Sequence, residues 1–135
     1  MNYMKKWKKF ISENKQRKDD PRDSKKVVKA ILVKDNKVLA LKGPGIWELP
    51  GGHVHVEEEK MDGLKREVQE ETGLNLESAK EIAIYGKRTI YIADLPEGNI
   101  KLSEEHTDHK MIAVDDLDSY DLKDIYKKEI RGALE

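Results

Sequence analysis

A chain of 135 residues suffices for one packed domain and is too short for a second, and the absence of cysteine excludes disulfides, thiolate metal sites and a cysteine nucleophile. Any metal must therefore be held by oxygen or by histidine nitrogen. Net charge is -1, but residues 1–30 carry eleven Lys and Arg against four Asp and Glu, so that a surplus of seven positive charges at one end is balanced by -8 over the rest. No apolar stretch approaches the ~18 residues of a membrane span, and the N-terminal region lacks the unbroken apolar core of a secretory signal, so the expected setting is cytoplasmic, with no membrane partner.

In chain order, Tyr3, Met4, Trp7, Phe10 and Ile11 recur at helical spacing with Lys5, Lys6, Lys8 and Lys9 between them, which predicts an amphipathic helix over 3–17. Residues 18–24 are polar, contain Pro21 and read as a linker. The chain thus divides into a basic N-terminal helix with its linker, 1–23, and a domain, 24–135. The apolar side of the helix is expected to dock on that domain, with attachment to RNA through its basic face the less favoured reading. β-Branched and aliphatic runs on either side of Asp35 and Asn36 predict strands over 26–33 and 38–42 joined by a tight turn. Residues 43–57, rich in glycine and proline, read as a loop. A helix follows over 58–72, with Met61, Leu64 and Val68 as its packing stripe and Gly73 as its C-terminal cap. Strands are expected at 79–85, 88–93 and 110–114, a turn at 96–99 and a last helix at about 122–134. Strands with helices before, between and after them make a layered α/β domain.

On the 58–72 helix, Glu67, Glu70 and Glu71 stand at i, i+3 and i+4, which puts three carboxylates on one face. Like charges at these spacings each cost a helix ~0.2–0.5 kcal/mol, and the places from which a Lys or Arg would relieve them hold Gly63, Leu74 and Asn75. A hard divalent cation is the natural counter-charge, since Mg²⁺ prefers carboxylate oxygen. Taken alone, the three glutamates read as a solvated acidic face.

Their surroundings change that reading. After Trp47-Glu48-Leu49-Pro50-Gly51 come Gly52, five residues, Glu58, seven residues, and then Arg66-Glu67-Val68-Gln69-Glu70-Glu71-Thr72-Gly73-Leu74. This resembles the Nudix box at every specified position, and the flanks fit as well: two strands before it, more strands and a C-terminal helix after it. The resemblance implies the Nudix fold, an α+β arrangement with a mixed β-sheet sandwiched between α-helices. It also implies a MutT-like pyrophosphohydrolase, which uses water to cut the pyrophosphate linkage of a nucleoside diphosphate joined to a further group.

By the same resemblance, Glu67, Glu70 and Glu71 hold Mg²⁺, with Mn²⁺ as a substitute, the carbonyl of Gly51 completes the shell, and Glu58 binds metal directly or through water. Arg66 orients a glutamate by a bidentate ion pair. The chemistry needs such a site because pyrophosphate oxygens repel an incoming nucleophile until cations neutralise them and acidify a bound water. The family places the base that takes the water's proton on a box glutamate or on one in a later loop. Glu67 is the first assignment, and Glu105, in Leu102-Ser103-Glu104-Glu105-His106, the second. Gly63 is a departure from the alanine frequent in the family, and is read either as clearance beside the metals or as a tolerated cost of ~1 kcal/mol in a helix.

The box says little about what the pyrophosphate carries. Lys42 and Arg88 are candidates for phosphate, Trp47, Tyr85 and Tyr91 for a base, and His53 and His55 in the entry loop for a phosphate oxygen, with packing or solvation the commoner role for each. Tyr91 resembles a tyrosine of dinucleoside polyphosphate hydrolases, whereas the proline associated with ADP-ribose hydrolases is missing near position 89. A nucleoside triphosphate or dinucleoside polyphosphate is therefore the leading substrate, with ADP-ribose or a nucleotide sugar the alternative. A different class, a Nudix-fold module that binds RNA or protein without turnover, has no need for the full set of box glutamates. Oligomeric state is not legible.

Overall fold

A computed structural model describes residues 23–135; the helix expected over 3–17 and most of its linker lie outside the described residues. Among the described residues seven strands form one mixed sheet. The first, β1 (Asp23–Lys34), turns through Asp35 and Asn36 into β2 (Lys37–Gly43). Both turn residues have left-handed backbone, φ 52° and 61°, the conformation that a two-residue hairpin turn demands and that Asp and Asn tolerate best. Val33 pairs with Val38 as the period of the sequence requires.

The segment 43–57 is not one loop: it contains β3 (Ile46–Glu48) and β4 (Gly51–His55), the latter antiparallel to the first half of β1. Glycine at 51 and 52 reads as a loop signal, yet here it serves close approach. Gly51 has φ 137°, and a Cβ there would fall 2.1 Å from the carbonyl oxygen of Val28, so no other residue fits this strand.

Helix α1 (Lys60–Thr72) begins two residues later than the sequence indicates, because Glu58 accepts the His55 amide in the preceding turn and Glu59 takes the N-cap position. It ends on Gly73, φ 77°, whose amide bonds Gln69 O at 2.9 Å. Strands β5 (Lys80–Tyr85), β6 (Arg88–Asp94) and β7 (Asp108–Ala113) follow. A 3₁₀ turn over Val114–Ser119 leads to α2 (Asp124–Leu134). β6 lies parallel to β1, from Val27 opposite Arg88 to Val33 opposite Asp94, and β7 pairs with β2.

Alternation along the strands divides the core into two layers. Val28, Ala30, Leu32, Leu39, Leu41 and Tyr91 pack with Val54 and with Leu64 and Val68 of α1; Ile31, Val38, Ala40, Ile90 and Ile112 pack with Trp47, Leu49 and with Tyr126 and Ile130 of α2. The sheet is thus sandwiched between the helices, the fold class expected from the order of elements. Among the described residues no helix is long and apolar enough to cross a membrane.

Candidate active site

α1 lies across β4, and the contact is made by the absence of a side chain. Glu67 is fully buried, and a Cβ on Gly52 would fall 2.7 Å from its carboxyl carbon. The glycine is a cradle for the carboxylate. One turn on, Glu71 is also buried and accepts the Gly51 amide at 3.0 Å. At Gly51, whose carbonyl the sequence reading assigned to a metal, the N–H fixes Glu71.

Arg66 organises the other carboxylates. Its Nε donates to Glu58 Oε2 at 2.7 Å and its Nη2 to Glu58 Oε1 at 3.1 Å, the expected fork, while Nη1 stands 3.3 Å from both Glu67 Oε2 and Glu70 Oε1. Nη2 also reaches the His53 carbonyl at 3.0 Å. The charge relief that seemed missing around the glutamates is therefore present: Arg66 lies four residues before Glu70, a position that inspection of the residues beyond the cluster overlooks. Burial disfavours the charged form of Glu58, but the Arg66 fork and the His55 amide outweigh it and hold its pKa below the ordinary carboxylate value. Gly63 proves to be clearance for Glu58 and Val54, since a Cβ would meet Glu58 Oε1 at 3.1 Å and Val54 Cγ2 at 3.2 Å.

The later loop comes to the same place. Ligand-capable atoms of Glu71, Glu105 and His106 lie within 4.8 Å of one another. His106 is buried; its Nε2 is 2.7 Å from Glu48 Oε2 and its Nδ1 makes no hydrogen bond. Glu48 Oε1 is 3.4 Å from Nζ of Lys29, which also donates to Leu49 O at 3.1 Å. Burial would raise the Glu48 pKa, but the His106 hydrogen bond and the Lys29 charge bring it down to about 2. Lys29 is enclosed, which alone would lower its pKa, yet Glu48, Tyr126, Glu71 and Glu67 reverse the sign and raise it. Lys29, Glu48 and His106 were missed in the sequence. The signals were there: a lone lysine in the run Val27–Val33, a lone charge between Trp47 and Leu49, and a histidine beside Glu105.

The residues proposed for substrate divide between buried and exposed positions. Trp47 is buried in the α2 layer, its ring edge-on to Tyr120 at 5.5 Å, and Tyr91 is buried in the α1 layer. Arg88 is committed to a double ion pair with Glu129, at 2.7 and 3.2 Å, above the Tyr126 ring. Lys42 is exposed, with Nζ 5.9 Å from the Trp47 ring centre, and His53 is exposed beside Asp23 at 2.6 Å. Tyr85 is exposed at the end of β5.

The residues fit a divalent cation on two counts. Arg66 draws the carboxylates of Glu58, Glu67 and Glu70 together, Glu71 lies beside Glu105 and His106, and hard oxygen donors are what Mg²⁺ and Mn²⁺ take. The Gly52 cradle keeps Glu67 against the sheet where a larger residue would expel it.

Comparison with known proteins agrees with this architecture. The model of the NUDIX domain family matches residues 23–132. A MutT-like protein of Streptomyces ambofaciens is 28% identical over 134 residues, covering 93% of this chain and 86% of that protein. Among solved structures, the MutT NUDIX hydrolase of Burkholderia pseudomallei superposes with a TM-score of 0.70 at 27% identity, over 78% of this chain and 94% of that one. An ADP-ribose pyrophosphatase of Streptococcus suis superposes with a TM-score of 0.63 at 26% identity, over 67% and 75%. The family match spans every described strand, α1 and most of α2, and the chain belongs to the NUDIX domain family as a hydrolase acting on pyrophosphate bonds.

Proposed function

We propose that this hydrolase cleaves the pyrophosphate linkage of a nucleoside triphosphate, with dinucleoside polyphosphates as the neighbouring class, and that it does so with Mg²⁺ or with Mn²⁺ in its place. The observation that carries the metal dependence is that Glu67 and Glu70 of α1 share Arg66 while Glu71, one turn on from Glu67, lies beside Glu105 of the later loop. A divalent ion supplies neutralisation of the phosphate oxygens and a more acidic water. In this reading Glu67, Glu70 and Glu71 hold the ion, the Gly51 carbonyl and Glu58 back them, and Arg66 fixes the spacing of Glu58, Glu67 and Glu70.

Glu105 takes the proton from the attacking water. The order of the two candidate bases is reversed from the one the sequence favoured, because Glu67 is fully enclosed and bridged to Arg66, as suits a fixed ligand, while Glu105 is half-buried on a turn that water can reach. Exposed Lys42 and His53 are kept as phosphate contacts, and the buried Trp47 and Tyr91 and the ion-paired Arg88 are given to packing.

The MutT-like relatives support the triphosphate; the likeness to an ADP-ribose pyrophosphatase supports ADP-ribose as the second reading. A panel of nucleoside triphosphates, dinucleoside polyphosphates, ADP-ribose and nucleotide sugars, with Mg²⁺ and phosphate release as the signal, tests both. Preference for ADP-ribose overturns the first.

A further inference from the structure

The turn that carries Glu105 is held by bonds within itself and by bonds to other strands. His106 N bonds Ser103 O at 3.3 Å and Glu105 N bonds Ser103 Oγ at 3.3 Å, both within the turn; Thr107 N bonds Lys42 O at 2.9 Å, where β7 begins its pairing with β2. Between these, the His106 side chain ties the turn to a distant strand. It is 6% exposed, and it meets Glu48 at the end of β3, 58 residues away in sequence. Glu48, with its pKa near the bottom of the carboxylate range, is an ionised acceptor, so the proton of the shared hydrogen bond belongs to Nε2 of His106.

The other oxygen of Glu48 faces Lys29, and Lys29 also holds the Leu49 carbonyl in the turn that leads to Gly51. Gly51 in turn donates to Glu71. One buried lysine therefore ties together the strand that enters the box and, through Glu48 and His106, the turn that presents Glu105. The two halves of the site come from distant parts of the chain, and this line of charges joins them.

We infer that Glu48 and His106, set by Lys29, form a latch that positions Glu105 against Glu71, with His106 a positioning residue that acts through Glu105 and not on substrate. The inference rests on the reading of Glu105 as a working carboxylate of the site. It goes beyond the box, because none of the three latch residues is a position of the motif.

The test is a double-mutant cycle in the full chain with a nucleoside triphosphate and Mg²⁺. His106→Ala is expected to lower kcat by about tenfold or more with KM little changed, as loss of a group that orients a working residue does. His106→Gln, whose amide nitrogen can stand where Nε2 stood, recovers part of that loss. In a Glu105→Gln background, His106→Ala adds nothing further. Multiplying effects, or a Gln variant no better than Ala, overturn the latch. Should His106→Ala fail to fold, Glu48→Gln completes the same cycle. A second readout needs neither metal nor turnover: hydrogen exchange at the amides of residues 105–107 should quicken in the Ala variant relative to β7, and unchanged exchange also overturns the proposal. A wild-type chain that turns over no triphosphate removes the substrate reading and leaves the exchange test in force.

Discussion

Arg66 and Glu58 form a two-point ion pair across the mouth of the box, Nε to Oε2 at 2.7 Å and Nη2 to Oε1 at 3.1 Å, and the same guanidinium spaces Glu67 from Glu70. Lysine offers a point charge without the fork. Arg66→Lys is therefore expected to lower kcat by about 10- to 100-fold, the usual cost of losing a group that orients metal ligands. It should destabilise the fold by about 1–3 kcal/mol through the unsatisfied carboxylate. Steady-state kinetics and thermal melting check the two effects separately; an unchanged kcat would leave Arg66 a purely structural bridge.

Activity should vanish in excess EDTA and return with Mg²⁺ or Mn²⁺. Glu70→Gln should lower it by more than about tenfold without lowering the melting temperature, because the lost charge is one of several on a crowded face. Full turnover in EDTA would sink the metal reading. If Glu105 takes the proton, Glu105→Gln lowers kcat with little change in KM, whereas Glu67→Gln also weakens Mn²⁺ binding measured by calorimetry.

Gly52→Ala and Gly63→Ala separate a site glycine from a packing one. At 52 the new methyl falls 2.7 Å from the Glu67 carboxyl, so the carboxylate must move and more than about tenfold of activity is expected to go with it. At 63 the methyl sits 3.1 Å from Glu58 Oε1 and 3.2 Å from a Val54 methyl, tight but yielding. Against that strain stands the helix preference of alanine over glycine, about 1 kcal/mol, so stability is expected to change by less than that. A Gly52→Ala enzyme of normal kcat would show that Glu67 has room to spare.

Acid should loosen the latch. Glu48 has a pKa of about 2 in the folded chain against an ordinary 4.5. The depressed value means that its contribution to stability is complete above about pH 4.5 and is lost as pH falls through about 2. Denaturant unfolding of wild type and Glu48→Gln across that window should show the shallower pH dependence in the variant. Equal slopes would mean that Glu48 is not held by His106 and Lys29 in solution.

What the sequence made legible follows from how local each feature is. The hairpin at Asp35-Asn36, the stripe Leu64 and Val68, the Gly73 cap and the box itself are all encoded within a few residues, and all appear as read. β3 and β4 were hidden because their glycines serve a strand-to-strand approach that only the partner strand reveals. Tyr91 and Trp47 looked like base-stacking candidates because an aromatic residue in a strand gives no hint of which layer it enters. Lys29, Glu48 and His106 were invisible as a set, since their meeting depends on sheet register and not on spacing.

β1 is the central strand shared by three partners: β2, reached by a two-residue turn, β4 from just before α1, and β6, whose Arg88 comes to lie opposite Val27. β7, which brings in the Glu105 turn, is later still and zips onto β2 from Asp108 to Ala113. Pairings this distant in sequence form slowly, and chains are made from the N-terminus onward. The box can fold its own helix early, but the carboxylate across from it arrives with the last strand. If Glu105 works as proposed, the site is complete only once β7 has paired with β2, so the order of strands along the chain sets when hydrolysis can begin.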